Sequence, residues 1–137
     1  SDPHILENVN RRLIDQDCQK KMVDYAHKLG IRITAFYVLG LEGETIETIE
    51  KTIEYAKWLD TFVAQFFINT PFPGTLEYER NKDKLIETDW EKFDCYTPVV
   101  ENKNITPQQL LNLKEKAFVS YYYRPKYAWK FVNRFFS

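Results

Sequence analysis

The stretch from Gly30 to Thr75 constrains the fold of this chain more than any other part of its sequence. Residues 31–39 are rich in β-branched and aromatic side chains, and from Ala35 onward they are apolar without alternation. That pattern is typical of a strand buried on both faces, as in parallel sheets. Thr61 to Ile68 has the same character and predicts a second buried strand.

The segment between these strands predicts a single helix. Thr45 is a suitable N-cap, and Glu47 lies in the first turn, where negative charge is favourable. Apolar residues recur at helical spacing along one side: Ile46, Ile49, Ile53 and Ala56. Because one helix joins the two strands, we expect them to be parallel, with a right-handed crossover.

Helices are also predicted before this unit. Asp2 is a suitable N-cap and Pro3 a suitable first residue for a short helix over residues 2–12. Because the chain begins on a helix cap, we expect it to be a segment of a longer protein. Asp15 or Asp17 caps a second helix, which Gly30 ends. Its apolar positions follow helical spacing: Met22, Tyr25, Ala26 and Leu29.

The segment after Thr75 predicts two short helical pieces, near residues 76–85 and 89–93, and then two longer helices. Thr106 to Gln109 forms a capping box with proline at the first helical position, and Ile105 is placed to pack on Leu110. This helix is expected to run to about Tyr123, and the last from about Pro125 to Phe136.

Composition excludes several classes of protein. The 137 residues are 44% hydrophobic, enough for one core, and the net charge of −1 argues against a nucleic-acid partner. The two cysteines, Cys18 and Cys95, form neither a disulfide framework nor a metal-binding spacing. No apolar run reaches the length of a membrane span, and the N-terminus lacks a signal peptide, so we expect a cytoplasmic protein.

Ligands of parallel α/β folds bind beyond the carboxyl ends of the strands. Two loops are predicted there, Gly40 to Thr45 and Asn69 to Thr75, and both contain glycine. Glycine allows a ligand to approach the backbone, and a helix N-terminus offers free N–H groups. Ordinary turns have the same composition, and spacing alone favours that interpretation at roughly two to one.

The two loops also resemble a pair of family motifs. Residues 36–45, FYVLGLEGET, resemble the pattern filGlPgET of radical SAM enzymes, with Glu42 in place of the usual proline. Residues 64–75, AQFFINTPFPGT, resemble the family's aqF.i.tPyPGT. KLGIRI precedes the first motif, and residues 121–125, YYYRP, resemble the ending fYlRP. The pair is most similar to the cobalamin-associated branch related to Mg-protoporphyrin IX monomethyl ester cyclase.

This resemblance implies an incomplete α/β fold, a fragment of a partial (β/α)₆ parallel barrel. Radical SAM enzymes bind a [4Fe–4S] cluster through a CxxxCxxC loop and use it to cleave S-adenosylmethionine. The loop is absent from this chain. Residues 1–100 are then the C-terminal portion of the barrel, and residues 101–137 a helical extension packed on it. The fragment alone is expected to be inactive, with neither catalytic residues nor metal ligands, and cobalamin use stays open.

The resemblance also implies a set of site residues. Six positions match the adenosine side of the S-adenosylmethionine site: Val38, Gly40, Glu44, Phe67, Ile68 and Asn69. Gln65 and Thr70 are placed in the substrate pocket. As a polar residue in a buried strand, Gln65 needs a partner, and a structural hydrogen bond inside the barrel is an equally good interpretation.

Two other functions stay open from the sequence. One is a stand-alone module that binds a nucleotide-like ligand at the two loops. The other is an interaction module that uses the aromatic and basic residues 121–136 on a membrane or RNA, although two helices packed on the barrel are favoured there. Expected partners are the missing N-terminal half of the barrel, a small-molecule substrate and, through open sheet edges, a second copy.

Overall fold

A computed structural model describes Ile5 and residues 14–135, except for the side chains of residues 130, 131 and 133–135. The helix predicted over residues 2–12 lies outside the described residues. The described part is a mixed α/β fold, as predicted, and is consistent with an incomplete α/β fragment. Its elements are α1 (Gln16–Lys28), β1 (Thr34–Leu39), α2 (Ile46–Leu59), β2 (Val63–Ile68), α3 (Leu76–Asn81), two 3₁₀ turns (Lys82–Lys84 and Trp90–Lys92), α4 (Pro107–Tyr122) and α5 (Pro125–Phe135).

The two strands form a parallel sheet in the predicted order. The register pairs Thr34 with Val63 at one end and Leu39 with Ile68 at the other. Both strands are shorter than predicted and begin later in the sequence, while both end at the predicted residue. The carboxyl ends of the strands are therefore level, and the loops that follow them begin side by side.

The predicted caps of α2 and α4 are confirmed. The Thr45 hydroxyl accepts the Thr48 N–H and the Thr48 hydroxyl accepts the Thr45 N–H, which closes a capping box. Thr106 and Gln109 make the same reciprocal pair ahead of α4, with Pro107 at the first helical position. Each capping box fixes the residue at which its helix begins.

The ends of α1 also agree with the prediction. Asp15 is the N-cap, and its carboxylate accepts the N–H groups of the next turn. Gly30 has a φ of +75°, a conformation that glycine adopts without strain. Its N–H donates to the His27 carbonyl, and the Ile31 N–H donates to the Ala26 carbonyl. These two bonds are the pair of a Schellman motif, so Gly30 turns the chain out of α1 toward β1.

One hydrophobic core joins α2, α4 and a single face of the sheet. The helix α4 packs on both α2 and β2. Ile105 and Leu110, the predicted pair at the start of α4, are buried in this same cluster. The core side chains are Leu39, Ile49, Ile53, Ala56, Ala64, Phe66, Ile68, Ile105, Leu110, Leu113, Ala117 and Tyr121. Ile46, predicted on the buried stripe of α2, is instead exposed at the first turn of the helix.

The prediction that both strands are buried on both faces is wrong for the described residues. Burial alternates along β1 and along β2. Phe36 is 64% exposed and Val38 is 37% exposed, and Gln65 on β2 is exposed as well. The physical reason is that the core helices cover only one face of the sheet. We call the other side, with Phe36, Val38, Gln65 and Phe67, the open face.

The apolar residues predicted at helical spacing on α1 are mostly exposed. Met22, Tyr25 and Leu29 are all exposed, and Val23 is the buried residue of this helix. The predicted spacing is helical, as observed, but the described residues place no element against that side of the helix.

Within the described residues, no helix combines the length and the apolar composition needed to cross a bilayer.

Tyrosine hydroxyls from the last two helices bond to the backbone at the start of β2. The Tyr122 hydroxyl meets both polar groups of Ala64: it donates to the carbonyl at 2.8 Å and accepts from the N–H at 3.1 Å. Two further hydroxyls donate nearby, Tyr121 to the Thr61 carbonyl at 2.6 Å and Tyr127 to the Phe62 carbonyl at 3.0 Å. The aromatic residues of segment 121–127 therefore attach α4 and α5 to the sheet.

Arg124 attaches the same segment to the end of α2. Its guanidinium donates to the carbonyls of Tyr121 and Lys57, both at 2.7 Å, and to the Asp60 carboxylate at 3.1 Å. Asp60 is the C-cap of α2, is buried, and has a φ of +56°. The planar fork of arginine is suited to bonding several acceptors at once, which explains why this residue stands in the YYYRP segment.

Candidate functional site

The two loops singled out in the sequence meet at one edge of the sheet. The Asn69 N–H donates to the Leu39 carbonyl at 2.8 Å, which extends the parallel ladder one residue past β2. Gly40 follows Leu39 directly, so Gly40 and Asn69 both lie at the carboxyl ends of the strands. This is the edge where ligands bind in parallel α/β folds.

Glu44 shapes the first loop. Its Oε2 accepts the Gly40 N–H at 2.7 Å and the Leu41 N–H at 3.0 Å, and the residue is only 4% exposed. Burial raises the pKa of the Glu44 carboxyl, and the two backbone hydrogen bonds oppose this shift. The bonds described for Glu44 thus hold its own loop in place, and its predicted contact with a cofactor stays a prediction.

Two structural features favour glycine at residue 40. Its φ is +83°, and a Cβ at this position would lie 2.8 Å from Cδ2 of Leu110 on α4. The sequence predicts that glycine at this position lets a ligand approach the backbone. In the structure, the side chain nearest to the position is that of Leu110, a core residue. The loop and α4 are therefore in direct contact, a relation that spacing in the sequence could not reveal.

The open face lies immediately below this edge. Val38 and Phe67 are register partners on adjacent strands, and the ring of Phe36 stacks on Phe67 with centroids 5.8 Å apart. Tyr96 approaches Phe67 from the segment after the second 3₁₀ turn, with centroids 5.6 Å apart. Two predicted site residues, Val38 and Phe67, thus contribute to one apolar and aromatic surface beside Gly40 and Asn69.

The remaining predicted residues are placed differently. Gln65 lies exposed on the open face, so the expectation that it is buried and needs a buried partner is wrong for the described residues. Its place in a substrate pocket stays a prediction. The Ile68 side chain is buried in the core on the opposite face, which leaves only its backbone near the site. The Thr70 hydroxyl donates to the Ile68 carbonyl at 3.2 Å and is partly exposed at the start of the second loop.

A polar cleft of about 260 Å³ opens at the same edge and includes Gly40 and Asn69. Its wall contains an ion pair between Lys84 and Glu42, with Nζ and Oε1 2.7 Å apart. Asn81 and Asn69 both donate toward the Glu77 carboxylate, at 2.9 and 3.4 Å. The other lining residues are Gly43, Val100, Glu101, Asn102, Lys103 and Asn104.

Residues 100–104 line one side of this cleft, and the sequence predicts neither an element nor a site role for them. The Asn102 side chain donates to the Leu41 carbonyl at 3.4 Å, and the Asn104 side chain donates to the Glu44 carbonyl at 3.1 Å. Val99 is fully buried, and Val100 forms an isolated antiparallel bridge with Leu85. The one available signal was the Val99-Val100 pair inside an otherwise polar stretch.

The residues present do not fit an iron–sulfur cluster. The chain has two cysteines, and Cys18 is exposed on α1 while Cys95 lies in the segment after the second 3₁₀ turn. Within the ranges that the structure describes, no three His, Cys, Asp or Glu residues are grouped so that they could hold a metal ion. A cluster of the cysteine-ligated kind needs thiolates that this chain does not supply.

Comparison with known proteins relates the chain to methyltransferases and cyclases, although no family model matches it. An uncharacterized methyltransferase of Pyrococcus horikoshii is 37% identical over 126 residues, which are 90% of this chain and 27% of that protein. The bacteriochlorophyllide d C-12(1)-methyltransferase of Chlorobaculum tepidum is 28% identical over 109 residues, 80% of this chain and 24% of the enzyme. The anaerobic magnesium-protoporphyrin IX monomethyl ester cyclase of Rubrivivax gelatinosus is 29% identical over 126 residues, which are 85% of this chain and 22% of that enzyme.

The chain spans about a quarter of the length of these curated relatives. The chain is homologous to a segment of each of these proteins, which are named as methyltransferases and cyclases. The matched segment covers most of the chain in each case, and so includes residues of both strand-end loops and of the helices that support them.

Proposed function

We propose that this chain is the C-terminal part of the barrel of a radical SAM enzyme of the methyltransferase or cyclase type. The observation that most supports the proposal is the placement of the two motif segments. They end adjacent parallel strands and meet where the Asn69 N–H bonds to the Leu39 carbonyl. The names of the relatives support the same reaction classes for the parent protein.

The contribution of this chain is the adenosine side of the S-adenosylmethionine site. Val38 and Phe67 offer an apolar surface on which a planar base can stack, and their alignment across the two strands supports this role. The N–H groups of Gly40, Ile68 and Asn69 are bonded within the chain, so their carbonyl oxygens are the backbone groups that a ligand could meet at its end. Glu44 acts by holding the Gly40 loop in the shape that the ligand meets.

The reaction itself belongs to the rest of the parent protein. Since this chain lacks a ligand set for an iron–sulfur cluster, we expect negligible iron after anaerobic reconstitution and no cleavage of S-adenosylmethionine by the chain alone. Iron quantification and chromatography for 5′-deoxyadenosine measure both. A stoichiometric cluster on the isolated chain would contradict the assignment as a fragment.

The full-length protein provides the decisive test. Its reading frame should encode a CxxxCxxC loop, and after reconstitution it should release 5′-deoxyadenosine. Val38→Asp puts a charge on the proposed adenine surface and is expected to weaken S-adenosylmethionine binding by about tenfold or more. Iron content should stay unchanged, because the substitution removes no thiolate that could bind the cluster.

Val119→Asp is the matched control, because Val119 is an exposed valine on α4 with an accessibility close to that of Val38. It should leave binding unchanged. Two results would overturn the proposal: a full-length protein without the cysteine loop, or equal affinities in the two variants. A protein that binds nucleosides but no iron would favour the alternative of a stand-alone ligand-binding module.

A further inference from the structure

The first loop is held from within by Glu44 and from outside by two asparagines. Inside the loop, the Glu44 carboxylate accepts the N–H groups of Gly40 and Leu41, and the Glu44 N–H donates to the Leu41 carbonyl at 3.0 Å. From outside, the Asn102 side chain donates to the same Leu41 carbonyl. The Asn104 side chain donates to the Glu44 carbonyl. Two carbonyls of one loop thus accept side-chain amides from a single distant segment.

The side-chain amide of Asn102 is bonded at both of its ends. Its Oδ1 accepts the Asn104 N–H at 2.8 Å, which closes a short turn, while its Nδ2 donates to the Leu41 carbonyl at 3.4 Å. An aspartate at this position keeps the acceptor for the turn but puts a carboxylate oxygen against the carbonyl. The hold on the loop can therefore be removed while the turn is kept.

The segment that carries the two asparagines is itself fixed at both ends. Before it, Val99 is fully buried and the Glu101 N–H donates to the Lys84 carbonyl at 2.8 Å. After it, Ile105 is 2% exposed within the core, and Thr106 caps α4. The asparagines are thus presented to the first loop by a backbone that the core and α4 hold in place.

We propose that Asn102 and Asn104 are positioning residues for the binding of S-adenosylmethionine, an inference that rests on the proposed function. They hold the first loop, before the ligand arrives, in the shape that the ligand meets. Neither side chain belongs to the proposed adenine surface of Val38 and Phe67, so both act through the loop. Because a preorganised site loses less free energy on binding, removing their hold lowers the affinity without changing the reaction of the bound ligand.

Hydrogen exchange of the 137-residue chain tests the hold on the loop without any ligand. The double variant Asn102→Asp with Asn104→Asp replaces both donors with carboxylate oxygens in side chains of nearly the same shape. We expect the Gly40 and Leu41 amides to exchange about tenfold faster, because the loop opens more often. The Asn69 amide is the internal reference, since it bonds to the end of β1 outside the loop, and its exchange should not change.

The reconstituted full-length protein tests the consequence for the ligand. In the double variant, the KM for S-adenosylmethionine cleavage should rise about three- to tenfold, while kcat at saturation and iron content stay unchanged. A role in stability alone would not separate KM from kcat in this way.

Two control variants accompany this measurement. Asn112→Asp controls for added charge, because Asn112 is an exposed asparagine on α4 whose side chain bonds to Gln108 of the same helix. Tyr122→Phe controls for lost stability, because it removes bonds to Ala64 at the opposite end of β2 from the loop. Both should leave the KM unchanged.

The possible failures are distinguishable from one another. Unchanged exchange at Gly40 and Leu41 in the double variant contradicts the inference alone. So does an unchanged KM in a protein in which Val38→Asp weakens binding, and so does an equal rise in KM in Tyr122→Phe. If Val38→Asp also leaves the affinity unchanged, the proposed function fails, and the inference fails with it.

Discussion

Glu44 is a buried carboxylate whose described hydrogen bonds go to the backbone of its own loop. Two variants separate its charge from its role as an acceptor. Glu44→Ala leaves the N–H groups of Gly40 and Leu41 without their acceptor, and we expect the free energy of unfolding to fall by about 1–3 kcal/mol. Glu44→Gln keeps an acceptor and should cost much less. Chemical denaturation at neutral pH measures both.

The pH dependence of stability follows from the direction of the pKa shift. The pKa of Glu44 in the folded protein lies above its ordinary value of 4.5, so the folded state binds the proton more tightly than the unfolded state. The contribution of this carboxyl to stability is full below pH 4.5 and is lost as the pH rises through the folded pKa. Glu44→Gln should lack this step, and a step of equal size in both proteins would contradict the assignment.

Tyr37 is a second residue whose polar group is costly to bury. Its hydroxyl is buried and has no hydrogen-bond partner in the described structure, and burial raises its pKa strongly. Tyr37→Phe removes this group and is expected to raise the free energy of unfolding by about 1 kcal/mol. Tyr121→Phe is the control with the opposite sign, because the Tyr121 hydroxyl bonds to the Thr61 carbonyl. A loss of stability in both variants would show that the Tyr37 hydroxyl has a partner.

At the scale of elements, Arg124 connects the end of α2 to the start of α5. Arg124→Lys keeps the charge but cannot reach three acceptors, and we expect the free energy of unfolding to fall by about 1–3 kcal/mol. Lys126→Ala is the matched control. Its ammonium pairs with the same Asp60 carboxylate at 3.2 Å but is 70% exposed, so its loss should cost less than about 1 kcal/mol. Equal losses would show that charge alone matters at Asp60.

Which elements form could be predicted largely from local chemistry. The capping boxes at Thr45 and Thr106, the glycine at residue 30 and the order of strand, helix and strand all depend on residues close in the sequence. Burial could not be predicted in the same way. The apolar run from Ala35 to Leu39 does not reveal whether something covers Phe36 and Val38, because that depends on segments far away or outside the described residues.

The residues of the candidate site also differ in whether they could be predicted from nearby residues in the sequence. The two loops were found because each follows a strand directly, whereas Asn102 and Asn104 reach the first loop from about sixty residues away. The contact between Gly40 and Leu110 is equally remote in sequence. Resemblance identified the loops as a pair, and only the fold brings the segment 99–104 to them.

At the scale of the whole molecule, α4 is part of the core. The sequence interpretation treated residues 101–137 as an extension packed on a barrel fragment. Since α4 supplies Leu110, Leu113, Ala117 and Tyr121 to the core, we predict that a chain ending at residue 105 loses cooperative unfolding. Differential scanning calorimetry should show no sharp transition for it. A chain ending at residue 128 is the control and should retain one, because it keeps Tyr121, Tyr122, Arg124 and Tyr127.

The tyrosine bonds to β2 also have a consequence for synthesis on the ribosome. The hydroxyl that covers Ala64 belongs to a residue 58 positions later in the chain. During translation, β2 therefore emerges before the groups that protect its outer edge, and contacts so distant in sequence form slowly. Until α4 is complete, the nascent sheet is exposed to pairing with other chains, so the interval in which this protein is most vulnerable to aggregation ends with the translation of its last two helices.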